Sequence, residues 1–75
     1  MKITAIETVQ LPHFNNILWV QVHTDEGIVG LGETFRGANA VAAYIHSDIA
    51  PLLLGQNPLE IDRISKLLLE PYLGF

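Results

Sequence analysis

The residues best equipped for chemistry sit in two short loops. The first is Thr34-Phe35-Arg36-Gly37, which holds the sole arginine of the chain's first half. A planar guanidinium can grip a carboxylate through two parallel hydrogen bonds, and loops at strand ends are where binding groups collect. The plainer alternative is a solvated or salt-bridged surface arginine. The second loop, Pro12-His13-Phe14-Asn15-Asn16, carries an imidazole, a ring and two amides. Its plainer alternative is ordinary turn chemistry, for which asparagine is a common choice. The candidate substrate-binding residues are therefore Arg36, His13, Phe14, Asn15, Asn16 and Phe35.

Other polar groups are harder to assemble into a site. Glu33 has no second carboxylate placed by sequence to share acid–base work, and a structural role is expected, such as accepting bonds from a nearby helix start. His23 and His46 stand alone, without a partner at metal-ligand spacing, and read as surface or interface residues. Gly30-Leu31-Gly32 lacks the third glycine and the lysine of a phosphate loop. The serines, Ser47 and Ser65, fall in expected helices and complete no nucleophilic triad. No catalytic residue and no metal ligand is assigned to the chain.

Three strands and a set of helices must position those loops. From Lys2 to Leu11 the odd positions Ile3, Ala5, Val9 and Leu11 are apolar, with Glu7 the exception. The even positions are polar, with Ile6 the exception. This period of two marks a half-buried strand, and Pro12 is expected to end it. A second strand, Ile17 to Thr24, is rich in β-branched and aromatic residues. Thr24-Asp25-Glu26-Gly27 then reads as a hairpin turn in which Gly27 supplies a positive φ. The third strand spans Ile28 to Thr34. Its Gly30 and Gly32 leave one face bare, so a close approach is expected there.

The second half reads as helical. Ala38, Val41, Ala42, Ile45, Ile49 and Leu52 lie on one stripe at helical spacing, with Pro51 expected to close the helix and Gly55 to cap it. Asn57-Pro58-Leu59-Glu60 has the residues of a helix start: an N-cap, a first-position proline and a capping-box glutamate. Ile61, Ile64 and Leu68 form the expected buried stripe, Asp62 and Lys66 an i,i+4 pair, and Pro71 the stop. Leu73-Gly74-Phe75 is an apolar tail. The expected class is α+β: a three-stranded antiparallel meander followed by two or more helices.

Composition bounds the rest. Seventy-five residues make one small domain. With no cysteine a disulfide is impossible. Nearly half the residues are hydrophobic and 16% are charged, with a mean hydropathy of +0.32. Such a chain is expected to bury surface against another domain or subunit, which makes a homo-oligomer the expectation. Its longest apolar run, Ala40 to Ile45, falls far short of a membrane span. The four basic residues, Lys2, Arg36, Arg63 and Lys66, form no patch, which argues against nucleic acid. The start of the chain lacks a signal peptide's apolar core, and with no cysteine the expected compartment is the cytoplasm.

Four stretches in order resemble a known family, that of mandelate racemase and muconate lactonizing enzyme in the enolase superfamily. Met1-Lys2-Ile3-Thr4 with Ile6-Glu7 is similar to its opening strand. Thr24 to Glu33 (TDEGIVGLGE) is similar to its hairpin, with Leu31 where tryptophan is more usual. Ala38 to Pro51 (ANAVAAYIHSDIAP) is similar to its first helix. Leu53-Leu54-Gly55-Gln56-Asn57-Pro58 resembles an L-I-G-Q-D-P segment, with Asn57 replacing the aspartate.

The resemblance implies that residues 1–75 are an N-terminal capping domain. A (β/α) barrel, absent from this chain, would carry three carboxylates for Mg²⁺ and the Lys or His bases. No cofactor is then expected in this chain, with Mg²⁺ in the missing barrel. The implied reaction begins with abstraction of a proton α to a carboxylate, the enediolate being stabilised by Mg²⁺. The loops at His13 to Asn16 and Thr34 to Gly37 would then close over the barrel mouth and set specificity for a small carboxylate substrate. The shortness of the first loop and the presence of Arg36 resemble the acid-sugar dehydratases more than members with long flaps, with racemases and cycloisomerases as the neighbouring possibilities. The cap's partners would be its own barrel or another subunit, and the chain alone would be inactive. The rival readings are a stand-alone, homo-oligomerising interaction module and a truncated product without catalytic function.

Overall fold

The computed structural model describes residues 1–11, 13 and 16–73, and side chains as far as residue 69. Its elements are β1 (Ile3–Val9), β2 (Leu18–Thr24), β3 (Val29–Thr34), α1 (Ala38–Tyr44), a π-helical turn (Ile45–Ile49), α2 (Ala50–Leu53) and α3 (Ile61–Leu73). The strands form one antiparallel sheet in the order β1-β2-β3. The helices follow, which gives the α+β meander expected. The slab is thin, 37 × 36 × 16 Å, as a layer of helix on one sheet should be.

The alternation of β1 contains a shift that explains its two exceptions. Ile3 pairs with Thr24, but Ala5 pairs with His23, so Thr4 is an extra residue with no partner position of its own. A bulge of this kind reverses which side chains face inward. Ile3 points in before it and is buried. After it Ile6 packs on the core, while Glu7 faces out beside His23.

Thr24 closes the hairpin. Its amide and its hydroxyl both donate to the carbonyl of Ile28, and Gly27 takes the left-handed conformation that a three-residue loop requires (φ 78°). The expected approach to Gly30 and Gly32 is not made among the described residues. A Cβ at Gly32 would meet nothing within 4 Å, and one at Gly30 would touch only Val22 at 4.0 Å.

The core lies between β2 and the first helical run. Leu18, Ala38 and Ile45 are buried, and Ile6, Val20, Val41, Ala42 and Ile49 pack around them. That is the stripe read from the helical spacing. Pro51 does not close the run. It sits in the first turn of α2, and the turn before it widens. A proline at 51 clashes with the carbonyl four residues earlier and donates no bond. The wide turn absorbs this, with the amide of Ala50 donating to Ile45, five residues back. Gly55 then adopts a left-handed φ of 86°, and its amide donates to the carbonyl of Ile3 at 2.8 Å. The amide of Ile3 donates to Gln56, also at 2.8 Å. The helix exit is thereby laced to the edge of β1.

The last helix starts later than Asn57-Pro58 implies. The Asn57 carboxamide oxygen accepts from the amide of Leu59 at 3.0 Å, and the Asn57 carbonyl accepts from Glu60 at 3.1 Å. The segment satisfies itself as a turn, a local alternative that asparagine offers to helix. Glu60 becomes the boundary residue, accepting from Ile64. The shift turns Ile61 out to solvent, while Ile64, Leu67 and Leu68 are half-buried. The ion pair here is Glu60–Arg63 at 3.8 Å rather than Asp62–Lys66. The backbone stays helical through Pro71 to Leu73, so Pro71 is not the stop expected of it. Gly74 and Phe75 lie outside the described residues.

Candidate functional site

The two candidate loops leave the sheet at one end. Val9, the last residue of β1, pairs with Trp19, and Leu18, the first of β2, pairs with Thr34, the last of β3. The connection from β1 to β2 and the connection from β3 to α1 are therefore neighbours across β2. Strand alternation alone does not bring them together. The antiparallel order does.

Within the first loop, His13 and Asn16 are exposed turn residues, and Phe14 and Asn15 lie outside the described residues. Within the second, Phe35 is 68% exposed and Arg36 is exposed. Among the described residues Arg36 forms no ion pair, so its guanidinium faces solvent rather than a structural carboxylate. Gly37 follows with φ 59° and ψ 41° and stands at the head of α1 without a side-chain cap. The carbonyl of Gly37 accepts from Val41 at 2.9 Å. Ala38 beside it is buried. Arg36 thus projects from a bend held on one side by a paired strand and on the other by a packed helix start.

Two polar contacts tie the end of β1 to the helices. Thr8 Oγ1 and His46 Nε2 are 2.8 Å apart. Gln10 Nε2 donates to Asn39 Oδ1 at 2.9 Å. His46 therefore does not stand alone, and neither does His23, which pairs with Glu7 on the opposite face. Glu33 has a structural role, though its donor is the indole N–H of Trp19 at 2.9 Å rather than a helix start. The Gln10–Asn39 contact was not foreseeable from spacing, because the two residues meet only once β1 and α1 are packed.

The outer face of the sheet is open, and one part of it is an apolar patch. Val9, Trp19, Gln21, Leu31 and Gly32 line a hollow of about 260 Å³, and Leu31 is 79% exposed. A broader depression of about 690 Å³ at the start of α3 is lined by residues from Leu59 to Arg63, and contains none of the candidate residues. Among the described residues no three His, Asp or Glu side chains converge to hold a metal ion. No helix among them is long and apolar enough to cross a membrane.

A three-stranded meander followed by helices, with two connections leaving one end of the sheet and an exposed apolar patch, is a domain class with close counterparts. Residues 2–74 match the N-terminal domain of the mandelate racemase / muconate lactonizing enzyme family. The chain belongs to that family, within the enolase superfamily. It is 36% identical over 73 residues to a D-xylonate dehydratase of Haloferax volcanii, covering 97% of this chain and 17% of the relative. It is 41% identical over 70 residues to a D-galactonate dehydratase of Pectobacterium atrosepticum, covering 91% and 18%. Among solved structures, an enolase of the mandelate racemase subgroup from Agrobacterium tumefaciens superposes with a TM-score of 0.85 at 56% identity, covering 88% of this chain and 18% of that one. The chain thus spans less than a fifth of the length of these relatives.

Proposed function

We propose that this chain is the substrate-covering domain of an acid-sugar dehydratase, acting over a barrel supplied by the rest of a longer protein. One observation carries the reading: the connections that leave β1 at Val9 and β3 at Thr34 start side by side at one end of the sheet, with Arg36 free of any structural carboxylate among the described residues. A solvent-facing guanidinium on a fixed bend suits the carboxylate of an aldonic acid. The polar side chains of the neighbouring loop suit its hydroxyls. The likeness to D-xylonate, D-mannonate and D-galactonate dehydratases supports the same substrate class.

The parent protein is proposed to abstract a proton α to the substrate carboxylate and to expel a hydroxyl group as water. Mg²⁺ is the expected cofactor of that chemistry, but the described residues of this chain gather no ligand set for it. No part of the proton transfer is assigned to them. Their share is to bind the substrate, orient it and keep water out. The exposed apolar residues Leu31, Leu59 and Ile61 support a domain that packs against its own barrel or a neighbouring subunit.

The test is to express the full reading frame that continues past Phe75 and to assay it on a panel of aldonic acids. Release of a 2-keto-3-deoxy acid from one of them, abolished by EDTA and absent for the 75-residue chain alone, is the expected result. A reading frame that stops after Phe75, with a product that self-associates and converts none of the acids, would favour a homo-oligomerising module instead.

A further inference from the structure

The two loops of the candidate site are anchored unequally. The Arg36 bend is held on both sides, by Thr34 paired to Leu18 and by the buried Ala38. The first loop returns to the sheet at Leu18, which is fully buried. Its departure point is less buried: Val9 is paired to Trp19, but it and Leu11 are both exposed. The side chain of Gln10 bridges that gap. It continues the inward-facing row of Ile6 and Thr8 and donates to Asn39 in the first turn of α1. Thr8 makes the second rung, to His46. Asn39 stands three positions beyond Arg36. The Gln10–Asn39 bond thus links the start of one loop to the rigid support of the other.

We propose that this bond is a clamp that sets the spacing of the two loops, making Gln10 and Asn39 positioning residues for substrate specificity. The proposal rests on reading those loops as substrate-facing. Neither residue touches the reacting atoms. Their effect is to hold the first loop at a fixed distance from Arg36, so that a carboxylate and a hydroxyl of one sugar acid are met together.

The experiment uses the full-length protein and the variants Asn39→Leu, Asn39→Asp, Gln10→Leu and the Gln10→Leu/Asn39→Leu double variant. Aspartate keeps an acceptor for the Gln10 amide, whereas leucine removes it. Hydrogen exchange is read at the amides of Leu11, His13, Asn16 and Ile17, in a loop that the Asn39 substitutions leave untouched. Asn39→Leu is expected to speed that exchange by about threefold to tenfold, the factor one net hydrogen bond supplies. Asn39→Asp should stay near the original rate, and the double variant should be no faster than Gln10→Leu alone. On the acid sugar that the enzyme turns over, KM should rise by a similar factor while kcat changes by less than about twofold.

Unchanged exchange in Asn39→Leu would overturn the clamp, whatever the kinetics. Faster exchange with an unchanged KM would overturn the positioning role. Faster exchange in a protein that converts no acid sugar would uphold the mechanical link and reject the functional reading on which the substrate role rests.

Discussion

The indole N–H of Trp19 donates to the carboxylate of Glu33 at 2.9 Å, across a directly paired position of β2 and β3. The bond lies on the open face, at the edge of the hollow beside Leu31. Glu33 therefore serves the sheet, and its charge costs little because solvent reaches it. Glu33→Ala should lower stability by about 0.5–1.5 kcal/mol, as for loss of one net hydrogen bond. Glu33→Gln, which retains an acceptor, should cost less. Urea denaturation followed by Trp19 fluorescence measures both, and equal losses would show that the charge rather than the acceptor matters.

Arg36 is the residue whose replacement bears most directly on the proposed substrate. Arg36→Ala in the full-length enzyme should weaken kcat/KM for an aldonic acid by about tenfold to a hundredfold, the worth of a hydrogen bond to a charged group. Arg36→Lys should recover part of it, because a point charge replaces a two-pronged contact. The inhibition constant of the acid's uncharged amide, set beside the KM of the acid, separates the two effects. Equal losses on both would remove the carboxylate from the account.

Gly37 holds the bend that aims Arg36. With φ 59°, an L-residue there is strained, although a Cβ added at this position would meet nothing within 4 Å. The penalty is conformational, not steric crowding by neighbours. Gly37→Ala should cost about 1–2 kcal/mol, whereas Gly37→Asn should cost less, since asparagine tolerates the left-handed region and caps helices. Thermal unfolding of the two variants gives the comparison, and identical midpoints would remove backbone strain as the cause.

Leu18 sits at the centre of the small core and is fully buried. Leu18→Ala should destabilise the domain by about 2–5 kcal/mol through lost burial and a residual cavity. Leu18→Met should cost under about 1.5 kcal/mol, since volume is conserved. Chemical denaturation distinguishes them. Leu18 also opens β2 opposite Thr34, so its loss should disturb both loops.

Much of this architecture was legible in the residues, and the gaps have physical causes. The strands, the turn at Gly27 and the stripe from Ala38 to Leu52 followed from period and composition. Ile6 and Glu7 looked like exceptions because a bulge at Thr4 is settled by pairing with β2, which local alternation does not contain. Pro51 looked like a stop because a proline ends a regular helix, and a wide turn preserving the helix depends on packing by Ile45 and Ile49. Asn57 looked like a cap because an Asx turn and an N-cap use the same side chain. For the site, the two loops could be named from their residue types. Their adjacency required the sheet order, and the Gln10–Asn39 link required the packed helix.

The lacing of Ile3 to Gly55 and Gln56 has a kinetic corollary. These bonds join the first strand to the exit of the first helical run, far apart in sequence, so they carry a larger loop-closure cost than shorter-range pairings do. The hairpin of β2 and β3, closed by a short loop, is expected to form before the seam at Ile3. Residues at the start of the chain therefore act as a latch on the whole domain. Losing them would release the edge strand and the helix exit together, leaving a species far more exposed to proteases than the length of the missing segment implies.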